Sequence, residues 1–413
     1  MNCRINIAVL LVAASVSAQA QNTLGYEDFM KLVSERNAGY VAEKYNVEIA
    51  EANLMAAKVF NDPEISFGYS DNQDWNMHMG RSFETELSYT VSLGNVRKCR
   101  INVAGTEKSI SEQALSDYFC NLKAQASAAY SDAWASARKA EIMLESYRNM
   151  KRTADSDSLR LLAGEINVTD AMQSALEAKR MRNGWVAAEA ARRSAAAGLS
   201  PFAGGEKLFP AMDDLPSSFR YAGVPLPELV SVAMENRSDL KSAELARKLS
   251  EDNLRLVRAS RAMEISFNVG YSYNTEVKNE IAPAPQFSGL SAGISIPLKF
   301  SSANKGEIQA ARSAVSQSAK AYEAAEEQIE AEVTAAYEMY SAALDIMDSF
   351  EGSIIDDVRT ILENRALGYA KGEIGLLDYL EAQRSYNEVM SSYIDACSDF
   401  FHAGTELDRV LGM

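Results

Sequence analysis

The feature that most constrains the fold of this chain is an internal duplication. The tetrapeptide Glu64–Phe67 recurs 200 positions later as Glu264–Phe267. The tripeptide Gly164–Ile166 recurs 208 positions later as Gly372–Ile374. The change in displacement indicates small insertions in the second copy, and repetition of this kind predicts two copies of one structural unit.

Changes in residue composition along the chain predict where its segments begin and end. We expect a signal peptide at 1–20, a first repeat at 21–200, a crossover linker at 201–225 and a second repeat at 226–413. The first segment combines Arg4, an apolar run and a small-residue cleavage site, which is the pattern of an export signal. The linker is rich in proline and glycine. After the signal, no uninterrupted apolar run is long enough for a transmembrane helix, so an exported chain would be periplasmic, secreted or an outer-membrane β-barrel.

Two long stretches without proline predict very long helices, because proline interrupts helix interiors. In the second repeat we expect one helix from Ser301 to Lys371, about 100 Å long. Apolar residues recur there every seven positions, which predicts left-handed supercoiling around neighbouring helices. The two seams are Ile308, Val315, Tyr322 and Ile329, and Val333, Tyr340, Met347, Ile354 and Ile361.

Four short segments alternate between apolar and small or polar residues, which predicts β-strands. They lie near 64–72, 83–94, 264–275 and 287–299. Each has about the length of a tilted strand that crosses a bilayer. Four strands cannot close a barrel without exposed edges, whereas three copies of the chain would supply twelve. Two soluble hairpins packed on the helices are the alternative.

Each copy therefore contains a helix, a β-hairpin, a very long helix and a shorter helix, in a mainly α fold with a small β part. Together with three motifs, this order resembles the outer-membrane efflux protein family, whose type member is TolC. The motifs are Asn61-Asp62-Pro63, Ile294-Ser295-Ile296-Pro297-Leu298, and Tyr369-x-x-Gly372-x-x-x-x-Leu377-Asp378-x-x-Glu381-Ala382-Gln383.

The resemblance implies a homotrimer in the outer membrane of a Gram-negative cell, with a twelve-stranded barrel in lipid on a helical periplasmic tunnel. It also implies a periplasmic adaptor protein and an inner-membrane pump, of the RND type, as partners. Such a channel exports drugs or metal ions, is not an enzyme and needs no cofactor. The compact build resembles the heavy-metal branch, in which many members carry a lipidated cysteine after the signal. Gln21 stands at that position here, so we predict no lipid anchor.

The second copy of the glycine motif carries the candidate functional residues. Gly164 and Gly372 stand where long helices must end. By resemblance, Asp378 and Glu381 match the aspartate ring of the periplasmic gate, and Tyr369 matches its gate tyrosine.

A plainer interpretation of the acidic residues is also open. Asp170, Asp378 and Glu381 lie in or near the first turns of the following helices, where the helix dipole favours negative charge. Threefold symmetry would instead arrange Asp378 and Glu381 as stacked acidic rings. The chain has Ile374 where some members of the family carry a gating arginine.

The remaining candidates concern cargo and alternative functions. Met77, His78 and Met79 are soft and borderline metal ligands in a predicted extracellular loop, but they are too few for a metal site. The net charge of −16 argues against nucleic acid as a partner. A soluble periplasmic coiled-coil scaffold or adaptor without a pore stays open as an alternative, as do secreted polypeptides as the cargo.

Overall fold

The computed structural model describes residues 23–73, 78–213, 215–216, 218–262, 264–297, 304–350 and 352–413. The region predicted as the first repeat, 21–200, contains β1 (Thr23–Leu24), α1 (Tyr26–Arg36), α2 (Ala38–Ala57), β2 (Glu64–Asp71), β3 (Arg81–Ser92), α3 (Val96–Leu162) and α4 (Val168–Leu199). The linker contains β4 (Phe209–Pro210) and a short 3₁₀ helix (Phe219–Tyr221). The second repeat contains α5 (Leu226–Asn236), α6 (Ser238–Ala259), β5 (Glu264–Asn274), β6 (Phe287–Ser295), α7 (Asn304–Ser349), α8 (Ile354–Lys371) and α9 (Leu376–Val410). The prediction of a mainly α fold with a small β part is confirmed, while the proposed signal peptide lies outside the described residues.

The longest helix is α3, whose 67 residues give an axial length of about 100 Å. The expectation of one continuous helix over 301–371 is wrong, because α7 ends at Ser349 and α8 begins at Ile354. Between them Gly352 adopts a φ of 115°, which is incompatible with a helix and strained for any residue with a Cβ. None of the described helices is both long enough and apolar enough to cross a membrane.

The helix break also changes the expected seam. Ile329, Val333 and Tyr340 in α7 are at most 1% exposed, as a core position of a heptad should be. Ile354 and Ile361 continue the same spacing but are 43% and 51% exposed. The interruption at Gly352 resets the helix phase, so the heptad spacing in the sequence does not carry over from α7 into α8.

The larger sheet of the small β part is antiparallel and has four strands in the order β2-β3-β5-β6. The hairpins β2–β3 and β5–β6 come from different repeats, and β3 pairs with β5 over the register Ser82↔Asn274 to Ser92↔Glu264. This pairing leaves β2 and β6 as the two edges of the sheet within one chain. The alternating apolar residues share one face, where Phe67 is 77% and Leu290 84% exposed.

The chain divides into two compact units, and each unit draws on both repeats. One unit contains the described residues up to Arg36 together with 126–217 and 347–401. Its core includes Met150, Tyr369, Leu376, Tyr379 and Leu380, which join the ends of α3 and α8 to the start of α9.

The second unit contains 37–125, 218–346 and 402–413, and therefore the whole four-stranded sheet. The buried charged side chains among its described residues are Arg237, Asp252 and Asp408. Arg237 lies at the junction of α5 and α6. The Arg237 guanidinium binds the carboxylates of Asp239 and Glu332, each at 2.5 Å. A buried cation with two carboxylate partners avoids the cost of an unpaired charge.

Candidate functional site

Two short connections between helices, both in the unit that contains 126–217 and 347–401, carry the predicted gate and turn residues. The first turn, residues 163–167, joins α3 to α4, and the second turn, residues 372–375, joins α8 to α9. Gly164 and Gly372 both adopt a φ of +76°. In the second turn the Gly372 N–H donates to the Tyr369 carbonyl at 3.0 Å, and the Glu373 N–H donates to the Gly368 carbonyl at 2.9 Å. This closure satisfies the last carbonyls of the helix and needs a left-handed residue, which explains the glycine.

The acidic residue at the start of each following helix makes local hydrogen bonds. In the first turn the Asn167 side chain accepts from the Asp170 N–H at 2.8 Å and donates to the Asp170 carboxylate at 2.8 Å. In the second turn the Asp378 carboxylate accepts from the Gly375 N–H at 3.3 Å. Both contacts satisfy free groups at a helix start, so each aspartate has a local structural role.

Asp378 and Glu381 are both exposed on α9, one helical turn apart. Within the described part of the chain, Glu381 makes no hydrogen bond and no ion pair. Their side chains are therefore available to ions and to other molecules. Tyr369, in contrast, is 8% exposed and belongs to the core of the unit.

The Tyr369 hydroxyl donates to Oδ2 of Asp157 at 2.8 Å, which links α8 to α3. Asp157 is 1% exposed, and its second oxygen, Oδ1, has no hydrogen-bond partner among the described residues. The Tyr369 ring stacks on Tyr379, with centroids 5.9 Å apart and planes 8° from parallel. Burial and the neighbouring Asp157 carboxylate raise the pKa of Tyr369, so the phenol stays neutral and donates its proton to this contact.

The positively charged side chain of Arg160 lies beside the contact between Tyr369 and Asp157. The Arg160 guanidinium carbon is 5.6 Å from the centroid of the Tyr369 ring. Its Nη1 lies 3.8 Å from Asp157 Oδ1, and its Nε lies 3.4 Å from Glu165 Oε2. Sequence reasoning missed both Asp157 and Arg160, because each is one of many charged residues along α3 and its partner lies over 200 positions away.

Two further residues of the motif are structural. Gln383 is 1% exposed and donates from Nε2 to the Ser146 hydroxyl at 3.1 Å, while that hydroxyl donates to Oδ1 of Asn387 at 2.7 Å. These bonds fix α9 against α3 by satisfying polar groups inside the core. Ile374, which stands where some members of the family carry a gating arginine, packs against the apolar core of the unit.

The methionine and histidine loop falls partly outside the described residues, since Met77 is not among them. His78 adopts a φ of 42°, and Met79 is 48% exposed. No group of three or more His, Cys, Asp or Glu side chains is placed to hold a metal ion in the part of the chain that the structure describes.

Comparisons with known proteins agree with this architecture. Residues 229–413 match the family described as outer membrane efflux protein. The cobalt-zinc-cadmium resistance protein CzcC of Cupriavidus metallidurans is 22% identical over 400 residues, which is 95% of this chain and 91% of CzcC. A solved structure of CusC is 18% identical, with a TM-score of 0.74 over 93% of this chain and 91% of that chain. The Campylobacter jejuni CmeC outer membrane channel is 12% identical, with a TM-score of 0.73 over 94% of this chain and 85% of that chain.

Proposed function

We propose that this chain, whose residues 229–413 match the family described as outer membrane efflux protein, is the outer-membrane channel of a tripartite efflux system. The observation that carries the proposal is the sheet, with its exposed apolar face and its two unpaired edges, β2 and β6. Burying a side chain such as Phe67 stabilises a protein by about 1.5–3 kcal/mol relative to leaving it in water. A lipid environment would remove this whole face from water at once.

The free edges support a trimer. An exposed edge strand presents unpaired N–H and C=O groups, and these are very costly in lipid. Pairing β6 of one copy with β2 of the next would close a barrel of twelve strands from three copies. In this proposal the protein lies in the outer membrane, carries no lipid anchor and contacts a periplasmic adaptor and an inner-membrane pump of the RND type. It is a transport protein and not an enzyme.

The proposed cargo is a small solute. The similarity to CzcC, a cobalt-zinc-cadmium resistance protein, favours metal ions, with drugs as the second possibility. The channel would pass such ions without holding them, since conduction needs sites weak enough to release the solute.

We further propose that the second turn forms the gate of the channel. The exposed carboxylates of Asp378 and Glu381 would form two acidic rings around a threefold axis, one helical turn apart. The buried bond between Tyr369 and Asp157 would keep α8 against α3 and so hold the turn in its closed position. The local bond from Gly375 to Asp378 leaves one carboxylate oxygen of Asp378 available for this role.

The experiment that tests the channel is direct. The mature protein is purified from outer membranes in mild detergent, its mass is measured, and it is reconstituted into planar bilayers. We expect a trimer that conducts ions. A monomer that stays soluble without detergent and never conducts would refute the channel and favour the periplasmic scaffold.

The gate is tested in the same bilayers. The double change Asp378→Ala with Glu381→Ala should raise single-channel conductance or reduce cation preference, because both acidic rings lose their charge. Glu388→Ala is the matched control, since Glu388 is also exposed on α9 but lies about two turns further along. Wild-type conductance and selectivity in the double variant would leave Asp378 and Glu381 as charges that only stabilise the helix start.

A further inference from the structure

We infer that Arg160 is a positioning residue of the proposed gate: its guanidinium holds the Tyr369–Asp157 contact closed by binding the end of α8 to the end of α3. The inference rests on the proposed function, because it assigns the group that keeps that same turn in place. Arg160 lies in the last turn of α3, one helical turn after Asp157.

The buried Asp157 carboxylate needs a cation nearby. Asp157 is a buried carboxylate that receives one hydrogen bond, from the neutral Tyr369 hydroxyl, while its Oδ1 receives none from the described residues. An ionised carboxylate away from water is costly unless a cation compensates it. Arg160 Nη1, at 3.8 Å from Oδ1, is beyond hydrogen-bond distance but within range of strong attraction where water is excluded.

Arg160 also lies over the aromatic ring of Tyr369. A guanidinium within about 6 Å of a ring centroid is attracted by the negative face of the π-system. Arg160 meets this condition at 5.6 Å from Tyr369, while the same ring stacks on Tyr379. The cation therefore contacts both partners of the bond between α3 and α8.

Arg160 also lies near the C-terminal end of α8. A Cβ added at Gly372 would lie 3.7 Å from Arg160 Nη2, so the guanidinium lies close to the residue that ends this helix. Cations are favoured at helix C-termini, where the macrodipole is negative. The ion pair of Arg160 with the exposed Glu165 adds orientation and little stability.

These three contacts converge on one side chain that is 22% exposed. Its removal would leave Asp157 with a single neutral donor and the end of α8 without its cation. The second turn, which carries Asp378, would then separate from α3 more readily. Arg160 thus acts on the gate through Tyr369 and Asp157 and has no contact with the solute in this inference.

The test compares Arg160→Ala, Arg160→Lys and the control Arg148→Ala in reconstituted channels. Arg148 is exposed on the same helix, so its removal changes the charge equally. The opening equilibrium constant should rise about two- to fivefold per protomer in Arg160→Ala, the range that a cation contributes over a partly exposed ring. Arg160→Lys should recover part of this change, since lysine keeps the charge but lacks the planar fork. Arg148→Ala should match the wild type.

A double-mutant cycle separates the possible outcomes. In the Tyr369→Phe background, which already lacks the hydroxyl, Arg160→Ala should have a smaller effect than in the wild type. If Tyr369→Phe opens the channel but Arg160→Ala matches Arg148→Ala, the inference about Arg160 is wrong and the gate stands. If neither Tyr369→Phe nor Arg160→Ala changes opening, the proposed gate fails. If Arg160→Ala does not assemble, Arg160→Lys decides: opening above the wild-type value supports the inference, and wild-type opening overturns it.

Discussion

The bond between Tyr369 and Asp157 gives the sharpest test of how the second turn is held. The change Tyr369→Phe keeps the ring, its stacking on Tyr379 and its place in the core, and removes only the hydroxyl. The Asp157 carboxylate would then receive no hydrogen bond from the described residues, because Oδ2 loses Tyr369 and Oδ1 has no partner. The variant therefore isolates one hydrogen bond to a buried charge.

The expected magnitude follows from that geometry. A hydrogen bond to a charged group contributes about 1.5–3 kcal/mol to stability. The 2.8 Å distance and the 1% exposure of Asp157 place this bond within that range, and we take about 2 kcal/mol. Every 1.4 kcal/mol is a factor of ten, so local opening of α8 and the second turn should become roughly 30-fold more frequent.

Hydrogen–deuterium exchange of the detergent-solubilised protein measures this opening directly. Peptides from α8 and the second turn should exchange faster in Tyr369→Phe, whereas peptides from the four-stranded sheet should not change. Tyr147→Phe is the matched control, since Tyr147 stacks on Trp185 in the same unit and its hydroxyl has no hydrogen bond within the described ranges.

Removing the charge of Asp157 tests whether the charged hydrogen bond, and not ring packing, holds α8. In the Asp157→Asn background the acceptor is neutral, so Tyr369→Phe should cost only about 0.5–1.5 kcal/mol. An equal effect of Tyr369→Phe in both backgrounds would show that ring packing, and not the charged hydrogen bond, holds α8. Unchanged exchange in Tyr369→Phe would refute the reasoning altogether.

Three further predictions follow from local geometry. Gly372→Ala and Gly164→Ala should each destabilise the protein by about 1–2 kcal/mol in thermal unfolding, because both residues have a φ of +76°. The two losses of stability should be similar, since the added Cβ meets no atom closer than 3.7 Å at either site. Hydrogen bonds from two neighbouring arginines lower the pKa of Glu189 from 4.5 to about 2, so its contribution to stability is present above pH 4.5 and is lost as the pH falls through 2. Glu189→Gln should therefore be less stable than the wild type by less than about 1 kcal/mol at pH 7, and this deficit should disappear as the pH falls below 2. Phe67→Lys should cost about 2–4 kcal/mol if the apolar face of the sheet lies in lipid, and should reduce the yield of extracted trimer, whereas Ser66→Lys on the other face should not.

The sequence by itself determined the local structure of this protein. The absence of proline and the heptad spacing predict the long helices, the alternation of apolar residues predicts the strands of the sheet, and the repeated glycines predict the two turns. These features depend on φ and ψ preferences and on side-chain periodicity, which neighbouring residues in the chain decide. The aspartates at the helix starts belong to the same class, because their hydrogen bonds span only three residues.

Only the tertiary structure decided the break at Gly352 and the group of residues around Tyr369. One glycine in a helical pattern is compatible with a continuous helix, so local propensity alone does not predict the φ of 115°. The partner of Tyr369 lies 212 positions away in the sequence, on a helix with several other acidic residues. Which of these residues faces Tyr369 depends on the register of α3 against α8. The packing of the two helices sets that register, and no local pattern encodes it.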